Sequence, residues 1–198
     1  MSIITGGLPY TDRLGNEIYT DFHNMLRVDE LYCSEDQHDT AFYALQLLYG
    51  DFEGVTSDAA TLIHELEWFY SGGKESKQGG SGKHEELVDF EQDANFIYAD
   101  FLTAYGIDLA KEDTSLHWWQ FLALLGALPE DASMSKRMYY RGLDLSKLKG
   151  DEKKRVARIK KEIAIRKKHK PTVTVTAKEK AARYKERLQQ RASEAKGK

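Results

Sequence analysis

Residues 116–128, LHWWQFLALLGAL, are apolar on almost every side of a helix. Such a helix has no face to turn toward water and must be enclosed. Its thirteen residues are too few to cross a bilayer, which takes about 20. The enclosure therefore has to come from the rest of the chain, and a set of packed helices is the simplest way to supply it.

Apolar residues do recur at helical spacing around this segment. A helix is expected after Thr20 or Asp21, with Phe22, Met25, Leu26 and Leu31 inward. Ser34 and Gln37 form a capping-box pair ahead of a second, whose stripe is Ala41, Phe42, Leu45, Leu48 and Tyr49 and whose stop is Gly50. A third starts at Ser57 or Asp58, buries Leu62, Ile63, Leu66, Phe69 and Tyr70, and runs out in SGG. A fourth is expected over 85–105, with Leu87, Phe90, Ala94, Ile97, Phe101 and Leu102 inward and Gly106 as its stop. Thr114 or Ser115 caps the enclosed helix, Pro129 halts it, and a short helix over 133–141 follows. Near the start, Gly15-Asn16 separates two short segments, Tyr10 to Leu14 and Glu17 to Thr20, and predicts a hairpin. The fold class is thus mainly α: a compact helical body with a small N-terminal β-hairpin and a basic C-terminal helical extension.

The body is expected over residues 1–145, with SGGKESKQGGSGKH (71–84) as a flexible loop inside it, because that stretch holds no apolar residue. Beyond it the pattern changes. Val156, Ile159 and Ile163 form a thin seam on a strongly basic helix, with Asp151 and Glu152 at its positive end and lysines in its last turn. After KPTVTVT, the segment from Ala177 to Ala195 is a polar helix with Tyr184 and Leu188 one turn apart. It is too weakly apolar to hold itself on a core. The extension, 146–198, is therefore expected to be partly disordered or ordered by a partner.

The formal charge of −3 conceals a division. Residues 1–135 carry 6 Lys+Arg against 25 Asp+Glu, a net −19, and residues 136–198 carry 23 against 7, a net +16. A basic tail on an acidic body suits a polyanion, an acidic partner, or the acidic body of another copy, although solvated basic helices are also common. Cys33 is the only cysteine, which excludes an intramolecular disulfide and a multi-thiolate zinc site. MSIITGGLPY has neither a basic start nor a long apolar run, so a soluble, intracellular protein without a membrane partner is expected.

No constellation of reactive residues is recognisable in the sequence. His64 and Glu67 share a helix face, but a zincin motif would need histidine where Trp68 stands. His38 and His84 each adjoin an acid that points away from them, and all read as surface or satisfied histidines. Asp89, Asp93 and Asp100 read as a solvated acidic face rather than a carboxylate dyad. No phosphate-binding glycine loop and no nucleophile elbow occurs. The expectation is a non-enzymatic chain with no catalytic residue, no cofactor and no metal. Trp118 and Trp119 lie about 100° apart on a helix. Either both are core, or one faces a partner across an exposed apolar patch.

The order of segments carries a resemblance. LP, a hairpin, TDFHNMLRVDEL, LQLLYGDF, DFEQDANFIYADFLTAYGIDL and LHWWQFLALLGALPED, followed by a basic helix, resembles the phage gene-product-fifteen family over about residues 8–165. Its most specific part is DANFIYADFLTAYGIDL with the WWQF that follows; the matching residues are Asp93, Ile97, Ala99, Phe101, Tyr105, Gly106, Ile107, Asp108, Leu109, Trp118, Trp119 and Phe121. The resemblance implies a helical tail assembly chaperone of long-tailed phages and prophages, acting in the bacterial host cytoplasm, with the tape measure protein or other tail subunits as partners. It brings no catalytic residues, and the tail beyond Lys170 is additional to it. The partner surface is then expected near Trp118, Trp119 and Phe121 and on the basic face of Lys153, Lys154, Arg158, Lys160 and Lys161. Self-association is a further possibility by charge. Two rival functions stand beside this one: a nucleic-acid-binding packaging or regulatory protein working through the basic tail, and a structural tail or neck component that stays in the virion. Against the first, only Tyr184 interrupts the tail's lysines as an aromatic, and the acidic body repels DNA.

Overall fold

The computed structural model describes residues 3–33, 39–52, 54–74 and 87–166. These fall into two compact units, one of residues 3–74 and 116–120, the other of residues 87–115 and 121–166. The fold is mainly helical, as its apolar periodicity requires.

The first unit opens with the four-residue α1 (Ile3–Gly6). The expected two-stranded hairpin is reduced to a single antiparallel bridge, Thr11 to Glu17. The cause is Asp12. Its buried carboxylate accepts from the Leu14 and Asn16 amides, the Asn16 side chain and the Tyr49 hydroxyl at 2.7–2.9 Å. That side chain organises the turn together with the backbone bonds from Asp12 N to Asn16 O and from Ile18 N to Tyr10 O, and the Tyr19 amide goes to Leu48 O of a helix. α2 (Phe22–Cys33) buries Phe22, Met25 and Val28, and α3 (Thr40–Tyr49) buries Phe42, Leu45 and Leu48 against it. The Ser34–Gln37 capping pair lies outside the described residues. α4 (Ala59–Tyr70) starts where expected: the Asp58 carboxylate accepts from Ala60 and Thr61 amides at 3.0 and 3.1 Å. Leu62, Ile63, Leu66 and Phe69 form its inner stripe. Of the expected loop 71–84, only residues 71–74 are described.

In the second unit, α5 (Ala94–Tyr105) begins nine residues later than the stripe suggested. Asp89 accounts for this, because its carboxylate takes the Glu91 and Gln92 amides and closes a turn there. Gly106, in the left-handed conformation, ends α5 as expected. α6 (Trp118–Gly126) starts in the first unit, and from Phe121 onward it belongs to the second. Phe121 stacks on Phe101 with ring centres 5.2 Å apart. α7 (Ser133–Gly142), a 3-10 turn (Leu145–Lys147) and α8 (Gly150–Glu162) complete the unit. Val156 is the buried residue of α8, and the residues after it are held as well: Gln92 bonds to Ala164 O and to the Arg166 amide. The expected basic extension is thus part of this unit through residue 166, and its remainder lies outside the described residues.

Candidate interaction surfaces

The four last carbonyls of any helix lack intrahelical partners. In α4 all four are met. Glu67 O and Trp68 O accept from Ser71 and Gly73 amides, and Phe69 O from Gly72. The indoles then arrive: Trp119 Nε1 donates to Phe69 O at 2.9 Å and Trp118 Nε1 to Tyr70 O at 2.8 Å. Two adjacent tryptophans thereby cap two adjacent carbonyls. Gly73 makes the approach possible, since a Cβ there would sit 2.6 Å from the Trp119 ring. Trp118 and Trp119 are only 1% and 4% exposed. Phe121 is equally buried in the second unit, so none of the three offers a face to a partner.

The start of α6 differs from expectation. Its cap is neither Thr114 nor Ser115 but the ring of His117, whose Nδ1 accepts from the Trp119 amide at 3.0 Å. Nε2 therefore carries the proton and donates to Pro9 O at 2.8 Å. Tyr10 and Phe69 meet the imidazole edge-on. Burial pushes its pKa below the ordinary value, while the bond to Pro9 pulls the other way.

The acidic face expected of Asp89, Asp93 and Asp100 is not solvated. Asp93 and Asp100 are buried. Asp93 meets Arg141 through two bonds, and the Arg141 guanidinium also donates to Leu87 O and Ile163 O at 2.8 Å each. Asp100 accepts from the Ser133 and Met134 amides and so caps α7. Sequence spacing on α5 alone could not reveal either partner, since both lie more than thirty residues away. Among the described residues no cluster of acids, histidines and cysteine is arranged to hold a metal ion, and no helix is long and apolar enough to cross a membrane.

Two exposed features stand out among the described residues. On α8, Val156 turns inward while Lys153, Lys154, Arg155, Arg158 and Lys161 are exposed. Lys160, expected among them, is instead drawn to Leu143 O at 2.7 Å. Lys154 pairs with Asp151 at 3.2 Å, but both are solvated and the pair contributes little. Asp151 and Glu152 in the first turn and Lys160 and Lys161 in the last follow the helix dipole as expected. In the first unit, an open groove of about 610 Å³ runs along α2 and α3, lined by Leu31, Tyr43 and Leu47 with Arg27, Glu30 and Gln46. The spacing of apolar residues does not reveal this groove, because among its lining residues only Leu31 belongs to an expected inward stripe.

The described residues thus form a mainly helical protein with a capped aromatic core, a cation-studded helix and an apolar-lined groove. The model of the bacteriophage Gp15 protein family matches residues 11–165, and the chain belongs to that family. It is accordingly a phage structural or morphogenesis protein. No curated protein and no solved structure matches it.

Proposed function

We propose that the chain is a tail assembly chaperone that binds the tape measure protein or other tail subunits in the cytoplasm of the bacterial host. Family membership supports a morphogenetic role. The observation that carries the reading is the exposed row Lys153, Lys154, Arg155, Arg158 and Lys161 on α8, whose Val156 packs inward. A row of cations suits an acidic stretch of a long helical client and makes the grip salt-dependent. Before a tail tube closes around it, such a client exposes apolar stripes that aggregate, and a bound helical protein would shield them. Neither binding nor shielding calls for a reacting group, and the function is non-enzymatic.

Co-expression with the tape measure product tests this. The client should become soluble and co-purify with the chain, with retention falling as salt rises; unchanged client solubility ends the proposal. The same cation row favours a second reading, nucleic-acid binding. That reading demands retention of DNA with a steep negative salt slope, and it must overcome Asp151, Glu152 and Glu162 on the same helix. Presence in purified particles would instead mark a structural tail or neck component.

A further inference from the structure

We propose that the groove along α2 and α3 is a self-pairing face, and that its occupant is the same groove of a second copy of this chain, turned about a two-fold axis. The helices that wall it pack on each other through their inner sides. Met25 and Val28 of α2 and Leu45 and Leu48 of α3 are fully buried, and Asn24 Nδ2 donates to Leu47 O at 3.1 Å from one helix to the other. On the outer side, Leu31, Tyr43 and Leu47 give an apolar lining, and Tyr43 keeps 41% of its surface in water. The two charges of the lining, Arg27 and Glu30, are exposed and stand three residues apart on one side of α2. Neither side chain forms a hydrogen bond or an ion pair among the described residues.

An occupant that satisfies this face must bring a carboxylate to Arg27 and a cation to Glu30, less than one helical turn apart, with an apolar side chain beside them. α2 of a second copy meets that specification. Run antiparallel to the first, it sets Glu30 against Arg27 and Arg27 against Glu30, which is the reciprocity an isologous contact requires. Tyr43 of each copy then enters the lining of the other, beside Leu31 and Leu47. Arg27 is the only Lys or Arg in α2 and α3. Asp29, the other acid of α2 besides Glu30, accepts from the Tyr70 hydroxyl at 2.6 Å. The groove is therefore balanced in charge, whereas the described residues of its unit carry ten Asp+Glu against three Lys+Arg. Two copies repel over most of that surface, and the balanced groove is where they can meet. A standard interface takes about 20–30 residues a side. Six lining residues make a smaller contact, so the pair is weak and forms as the protein is concentrated. The pairing draws on none of the cations of α8 and does not rest on the chaperone reading.

Sedimentation velocity on the full chain, over a concentration series with no client present, tests the pairing. The wild type should pass from monomer to dimer. Arg27→Glu and Glu30→Arg each set like charges face to face twice and should weaken the dimer roughly tenfold or more. Their far-UV circular dichroism should match the wild type, because both side chains are exposed. The two variants mixed in equal amounts should pair again, since each supplies the charge the other lacks. The double variant Arg27→Glu/Glu30→Arg should pair with itself about as well as the wild type. A wild type that stays monomeric at every concentration overturns the proposal. So does a dimer that neither single variant weakens, which would place the contact on another face. A loss in the single variants that mixing does not restore also overturns it, because Arg27 and Glu30 would then not face each other across the contact. The outcome is independent of the co-expression experiment, so failure of one is not failure of the other.

Discussion

Arg141 and Asp93 meet inside the second unit, with Nη1 2.5 Å from one carboxylate oxygen and Nη2 2.9 Å from the other. The same guanidinium reaches Leu87 O, ahead of α5, and Ile163 O, behind α8. One side chain thus ties together three stretches that are distant in sequence. Removing one member of a buried pair strands the other charge. Asp93→Ala or Arg141→Met should each cost about 3–5 kcal/mol, read as a lower midpoint in urea. The double variant should recover part of the loss.

Asp100 supplies the cap of α7 through the Ser133 and Met134 amides. Asp100→Ala should destabilise by about 1–2 kcal/mol. Asp100→Asn, which keeps an acceptor oxygen, should lose less. Thermal unfolding of the two variants side by side checks the order.

Gly73 leaves the space that Trp119 fills, and its φ of 76° lies in the left-handed region. Gly73→Ala should therefore cost about 1–3 kcal/mol and shift tryptophan emission as the indole gives way. Trp118→Phe, which keeps a ring but loses the donor to Tyr70 O, should cost about 1–3 kcal/mol.

His117 sets a pH dependence. Its folded pKa lies below the ordinary 6.5, so the unfolded chain takes up the proton more readily. Stability is then fully present above pH 6.5 and falls as the pH drops from there through the lowered folded value. Protonation at Nδ1 would also replace the acceptor that faces the Trp119 amide. Denaturation curves between pH 7 and pH 5 should show a decline that is smaller in His117→Asn, whose amide oxygen can still cap α6.

Charge reversal on α8 should separate binding from folding. Lys153→Glu/Lys154→Glu/Arg158→Glu alters exposed side chains and should move stability by no more than about 0.5 kcal/mol per position while abolishing client retention. Lys160→Ala, by contrast, removes the bond to Leu143 O and should be felt in stability. Equal client retention by the triple variant and wild type would show that the basic row plays no part.

The helices of the first unit were legible because their stripes are long and their caps local: Asp58, Gly50 and the inner faces of α3 and α4 stand where the spacing put them. What escaped was set by distant partners. Asp93 and Asp100 share spacing with any solvated acidic face, and only Arg141 and the start of α7 make them interior. Spacing points to the hydroxyl residues Thr114 and Ser115 for the α6 cap, whereas a histidine ring between Pro9 and Trp119 does the capping. The tryptophan pair was visible, but not the two carbonyls waiting for it. The groove could not be read at all, since most of its lining lies off the core-facing stripes and is brought together only by the packing of α2 on α3.

Residues 116–120 return to a unit whose other described residues end at 74. The carboxyl end of α4 cannot be sealed until those tryptophans have been made. At synthesis rates of about 5–20 residues per second, the first unit waits roughly 2–9 s on the ribosome in an unfinished state. During that interval the backbone ends and aromatic rings of α4 are open to whatever is nearby, so slowing translation between residues 74 and 120 should lower the yield of folded protein.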